Sequence, residues 1–128
     1  MKSNKSFGIL FFLLTSIFVT AKGQAVDNSP EVIAKSMTGW LAKTIKIDSL
    51  TATRVYDCFL IYCAESDSLL KEGKEKQAKG TYIKGEYKKK YKQMDVRKDS
   101  CLQQILNRSQ FDKWKEEENK YLYKQEGR

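Results

Sequence analysis

The chain has 128 residues, 24 of them Lys or Arg and 16 Asp or Glu, for a formal net charge of +8, and it contains no histidine. Without His it lacks the commonest general base and the commonest neutral metal ligand, so no enzyme, metal site or cofactor is expected.

Lys2 and Lys5 precede an apolar run from Phe7 to Val19, followed by Ala21-Lys22-Gly23. This is the three-part pattern of a secretory leader, and it predicts cleavage after Gly23 and a new N-terminus at Gln24. The run is shorter than the roughly 20 apolar residues that span a bilayer. No Cys stands just behind it, so a lipid-anchored start is not expected. The mature chain is expected in the periplasm or secreted. Loss of Lys2, Lys5 and Lys22 leaves 21 basic and 16 acidic residues, a net charge of +5. Residues 24–128 suffice for one compact domain and are too few for two.

Residues 24–29 are small and polar and read as a flexible lead. Ser29-Pro30-Glu31 then supplies an N-cap, a proline at the first helical position and an acid in the first turn. Ile33, Met37, Trp40, Leu41 and Ile45 share one face of a first helix that runs to about Lys46. The corner Ile47-Asp48-Ser49-Leu50-Thr51 places an apolar residue and a capping Asp before a second helix. That helix offers Ala52, Val55, Tyr56, Phe59, Tyr62, Cys63, Leu69 and Leu70 to the interior. From Lys71 to Lys79 the apolar signal stops, which suits an exposed helix end or a loose turn around Gly73. Gly80 is the expected terminator, with Thr81 capping the next helix.

The third helix carries Tyr82, Ile83, Tyr87, Tyr91, Met94, Cys101, Leu102 and Ile105. Gly85 weakens its first turn by roughly 1 kcal/mol relative to Ala. Leu106-Asn107-Arg108-Ser109-Gln110-Phe111 then reads as a stapled helix start: Asn107 is the N-cap, Gln110 completes a capping box, and Leu106 packs on Phe111. The fourth helix continues through Trp114, Glu118, Tyr121 and Leu122 and frays over residues 124–128, while Glu116-Glu117-Glu118 reads as a solvated acidic face. No alternating strand pattern is present. The fold class is therefore all-α: a single domain over residues 30–123, with three to four helices built around a long antiparallel helical hairpin.

Three cysteines survive leader removal: Cys58, Cys63 and Cys101. Positions 58 and 63 of one helix place their thiols on diverging faces, too far apart for a disulfide. With the hairpin turn near Gly80, residue 58 reflects onto about residue 102, so Cys58 to Cys101 is the preferred bridge. Cys63 is then left either buried as a small apolar residue or able to link two chains.

The order of leader, short helix, "IDSLT" corner, long hairpin and "LNRSQF" corner resembles the Spy/CpxP-like group of small exported proteins, whose mark is a twice-occurring LTxxQ motif. The resemblance spans residues 31 to about 123. In the downstream copy Asn107 replaces Thr, and in the upstream copy Ile47, Asp48 and Thr51 stand where Leu, Thr and Gln would be. The resemblance implies a helical, often dimeric envelope protein that holds unfolded clients without ATP or senses envelope stress through a signalling partner.

The basic segment from Lys71 to Lys98 holds eleven basic residues against four acids. Tyr82, Tyr87, Lys88, Lys89, Lys90, Tyr91 and Lys92 form the expected client-binding set, with charge attracting an unfolded or acidic protein and tyrosines making contact. Tyr87 and Tyr91 also have core spacing, which suits packing on the second helix. Nucleic acid is not an expected partner, because export argues against it and only Arg54, Arg97, Arg108 and Arg128 could supply guanidinium forks. Peripheral contact with anionic lipid or polysaccharide asks only for lysines. Trp40 and Trp114 lie on apolar faces and are expected in helix packing, unless a thin fold leaves one exposed as an anchor. A structural subunit that dimerises through its helices, with Cys63 linking protomers, is the alternative role.

Overall fold

A computed structural model describes residues 29–126, with side chains through residue 121. The leader, most of the lead and the last two residues lie outside the described residues. Four helices follow one another: α1 (Pro30–Thr44), α2 (Ser49–Lys79), α3 (Lys84–Ile105) and α4 (Arg108–Glu126). Among the described residues there is no strand, so the all-α expectation holds. The last helix is described as far as Glu126.

Ser29 accepts a hydrogen bond from the Val32 amide at 3.4 Å, and Pro30 opens α1 where a missing N–H costs nothing. The helix buries Ile33, Ala34, Met37 and Leu41 and stops at Thr44, two residues early, because Ile45 turns extended (φ −130°, ψ 150°). Ile45 is nonetheless buried and extends the apolar stripe into the corner.

α2 is the central element. It packs on α1 on one side and α3 on the other, while α4 touches α1 and α3 more sparsely. Hydrogen-bonded or bridged pairs 72/87, 65/97 and 58/101 straddle one point near residue 80, which fixes α2 and α3 as an antiparallel hairpin. Cys58 and Cys101 are bridged, with Cα atoms 5.9 Å apart and a sequence separation of 43 residues. In the chain-entropy account, closing a loop of that length contributes about 4 kcal/mol. Cys63 is fully buried, with its sulfur 3.7 Å from that of Met37. Burial pushes the thiol up to about 12, and Cys63 takes the place of a small apolar core residue.

The hairpin tip follows expectation at Gly80 and at the exposed end of α2, and departs from it at Thr81, Ile83 and Leu70. Gly73 lies inside α2 rather than in a loose turn, and a Cβ there would sit 3.5 Å from the Tyr82 ring. Gly80 adopts the left-handed conformation (φ 75°) that a side chain would disfavour. Thr81 does not cap α3: its amide and hydroxyl both donate to the Lys76 carbonyl, at 2.8 and 3.4 Å, and so terminate α2. Ile83 takes the N-cap position of α3, with no side-chain cap bond, and is 61% exposed. Leu70, expected inside, is 41% exposed.

Both predicted corners form. Asp48 accepts from the Thr51 amide at 2.8 Å, and the Thr51 side chain together with that amide lowers the carboxyl pKa. Asn107 accepts from the Gln110 amide at 2.8 Å, and the Gln110 side-chain oxygen accepts from the Asn107 amide at 3.0 Å, a reciprocal capping box. The Gln110 side-chain nitrogen donates to the Lys46 carbonyl at 3.1 Å, so one residue ties the downstream corner to the upstream one across 64 positions. Leu106 is buried, and Phe111 and Ile47 pack on the same core.

Candidate functional site

The predicted client-binding residues divide into two groups. Tyr82 packs over Gly73 and stacks on Tyr87, with ring centroids 4.9 Å apart. Tyr87 is only 2% exposed, and its hydroxyl donates to the Glu72 carboxylate at 2.6 Å. Burial and that acceptor push the phenol up to about 12. The same carboxylate oxygen holds Lys90 at 3.4 Å, and the Lys90 ammonium lies 5.0 Å from the Tyr87 ring centroid. Tyr91 is half-buried against the core, which raises its pKa. Tyr87 and Lys90 therefore tie α3 to α2 through Glu72, with Tyr87 buried and Lys90 38% exposed. Their register explains this, since 87, 91, 94, 98 and 102 fall on one helical face.

Lys88, Lys89 and Lys92 are exposed. At 100° per residue, Lys89, Lys92 and Val96 fall within about 60° of arc on the outer side of α3, and Lys88 stands about 40° beyond Lys92. Val96 is 60% exposed in the middle of this face. Elsewhere in the basic segment Lys71 pairs with Asp67, Lys76 with Glu72, and Arg97 with Glu65. Among the described residues, Lys74, Lys79, Lys84, Lys88, Lys89 and Lys92 make no ion pair. The positive surface is thus narrower than the sequence count of eleven suggests, and it is concentrated on outer α3 and the tip.

Lys98 leaves that surface altogether. Its side chain is fully buried, 3.0 Å from Glu118, 3.2 Å from Asp95 and 3.7 Å from Asp99, with the ammonium 5.5 Å from the Tyr62 ring centroid. Lys115 adds contacts of 2.6 Å to Glu118 and 3.0 Å to Asp99. Glu118 is 1% exposed, which corrects its assignment to a solvated acidic face. Burial opposes its ionisation, but the ammonium groups of Lys98 and Lys115 outweigh burial and hold its pKa below the ordinary value. For Asp99 burial wins and the pKa is raised. Sequence reasoning missed this network although its register was visible. Lys98 follows Met94 by four residues, and Glu118 follows Trp114 by four. The arrangement is a structural clamp between α3 and α4, packed beneath Tyr62 of α2.

Around the clamp the aromatic side chains close the core. Trp114 is fully buried and meets the half-buried Trp40 edge-on at 4.8 Å; Trp40 in turn meets Tyr121 at 5.2 Å. Both tryptophans serve helix packing, as their spacing predicts. Among the described residues no group of His, Cys, Asp and Glu is set to hold a metal ion, and no helix is long and apolar enough to cross a membrane. Compared with protein-family models, curated proteins and solved structures, the chain matches none.

Proposed function

We propose that the protein is a non-catalytic binder of unfolded or acidic proteins in the periplasm or envelope, acting without ATP. The observation that carries this reading is the outer face of α3, where Lys88, Lys89 and Lys92 have no ion-pair partner among the described residues and flank the exposed Val96. Unpaired ammonium groups draw in an acidic chain over a Debye length of about 8–10 Å, and an apolar side chain among them gives a short, nonspecific contact. The leader-like N-terminus supports the location, and the two capped corners around a hairpin support the resemblance to the Spy/CpxP-like group. Binding of an envelope signalling partner would use the same face.

Assembly through helix dimerisation is the second reading. It is favoured by Leu50 and Ile61, 70% and 61% exposed, which lie about three turns apart on the outer side of α2. It does not need Cys63, whose thiol is inside the core.

The test is suppression of client aggregation by the chain beginning at Gln24, compared with a Lys88→Ser/Lys89→Ser/Lys92→Ser variant. Protection that weakens in the variant supports the binding reading, and no protection at several-fold molar excess rejects it. Sedimentation equilibrium of the same sample tests dimerisation, which Leu50→Ser/Ile61→Ser should abolish.

A further inference from the structure

The end of the hairpin combines two local costs at one residue. Ile83 occupies the N-cap of α3, where Ser, Thr, Asp or Asn would accept an amide hydrogen bond and Ile cannot. The same side chain is 61% exposed. Nothing about the turn forces this. Gly80 and Thr81 close α2 by hydrogen bonds to Gln77 and Lys76, and Tyr82 seats the loop on Gly73, so Ile83 is presented outward by a bonded and packed tip. Positions where a sequence breaks local helix rules without compensation inside the fold are where a function is to be sought. Within residues 74–88, which form the tip on either side of Ile83, Lys74, Lys79, Lys84 and Lys88 are exposed and without ion pairs among the described residues, and the acids Glu75 and Glu86 are exposed as well.

We infer that the hairpin tip docks on an anionic bilayer surface, with Ile83 entering the headgroup region and the surrounding lysines meeting lipid phosphates. The size of the tip selects this partner over a folded protein. Two helices side by side, each about 10–12 Å across, end in an area of a few hundred Å² at most. A stable protein interface needs about 800 Å² from each partner. A membrane interface has no such requirement: one inserted apolar side chain and several lysines add up without shape complementarity. A soluble polyanion would use the lysines and leave Ile83 without a role. The surface is separate from the Lys88-Lys89-Lys92 face of α3 except for Lys88, and the inference does not depend on client binding.

The test is co-sedimentation of the chain from Gln24 with vesicles of phosphatidylglycerol and phosphatidylcholine in equal parts, and with pure phosphatidylcholine. The described helices close their core among themselves, and the shorter chain removes the Phe7–Val19 run, which would itself bind lipid. Binding to the anionic vesicles alone, weakening with salt, is expected. Ile83→Ser keeps the charge and should cut partitioning roughly tenfold. Its thermal midpoint should hold or rise, because Ser supplies the missing cap. Lys79→Ser/Lys84→Ser should also weaken binding. The inference is overturned by no binding to anionic vesicles, by equal binding to pure phosphatidylcholine, by an Ile83→Ser variant that partitions like the original, or by equally tight binding to soluble heparin.

Discussion

Replacing Lys98 with Met removes the charge at the centre of the clamp while keeping most of the buried stem. Three contacts of 3.0, 3.2 and 3.7 Å disappear. Glu118 keeps Lys115 at 2.6 Å and Asp99 keeps Lys115 at 3.0 Å, whereas the Asp95 oxygen that faces Lys98 is buried and loses its only ion-pair contact. Removing one partner of a buried pair costs about 3–5 kcal/mol, and the surviving Lys115 contacts bring the expected loss to about 2–4 kcal/mol. For a domain of this size that is a fall in thermal midpoint on the order of 10 °C or more. Lys98→Met/Glu118→Leu removes the buried charges together, and exchanging a buried pair for apolar groups is neutral or stabilising by about 1–4 kcal/mol, so the double variant should recover most of the loss. Urea denaturation followed by near-ultraviolet circular dichroism reads both, with an unchanged m-value confirming that the unfolded state is the same. An unchanged midpoint in Lys98→Met, or a double variant less stable than the single one, would refute the clamp.

Three further outcomes are expected. Glu118 binds its proton less readily in the folded chain, so its contribution to stability is present above the ordinary glutamate value and is lost as pH falls through its lower folded pKa. Asp99, with a raised pKa, contributes in the opposite sense: its share is present below the ordinary aspartate value and lost as pH rises through its folded pKa. Lys115 is raised above its ordinary 10.5 by Glu118 and Asp99 despite burial, so its share is present below 10.5 and lost at higher pH. Thermal midpoints should therefore fall at alkaline pH as Lys115 loses its proton, while in acid Glu118 and Asp99 act in opposite directions. Glu118→Gln removes the Glu118 share and should make the acid limb less steep; an acid limb identical to the original would contradict this. Gln110→Glu preserves the capping box but replaces the donor to the Lys46 carbonyl with a carboxylate, and should lose about 1 kcal/mol in chemical denaturation. Equal stability would mean that the two corners are not coupled. Cys63, with its thiol pushed up to about 12 inside the core, should resist alkylation in the native chain and react on denaturation; rapid native labelling would place it outside the core.

Periodicity carried most of the fold into the sequence. Ser29-Pro30, Asp48, Gly80 and Asn107 are residues whose side chains or backbone freedom specify a helix end locally, and each end forms within a few residues of its expected place. The Cys58 to Cys101 bridge was legible because an antiparallel hairpin reduces pairing to reflection about its turn. The charged residues were not legible in the same way. Lys98 and Glu118 have core register and surface chemistry, and the chemistry led to the wrong placement, because burial of a charge depends on a partner from another helix. Tyr87 is buried as its core spacing suggests, but its acceptor could not be read locally: Glu72, which receives both Tyr87 and Lys90, lies across the hairpin. The second role of Gln110 is a contact over 64 residues that no local motif contains. Thr81 was assigned to the helix ahead of it and serves the one behind, since the left-handed Gly80 turns its amide back to Lys76.

The most direct measurement of the central claim is the affinity of the chain from Gln24 for a fluorescently labelled, permanently unfolded acidic protein, followed by anisotropy over a range of salt concentrations. The account predicts binding that weakens as salt rises, with Lys88→Ser/Lys89→Ser/Lys92→Ser reducing both the affinity, by roughly fivefold or more, and the salt dependence. Binding that is absent at low salt, or that the triple variant leaves unchanged, would contradict it.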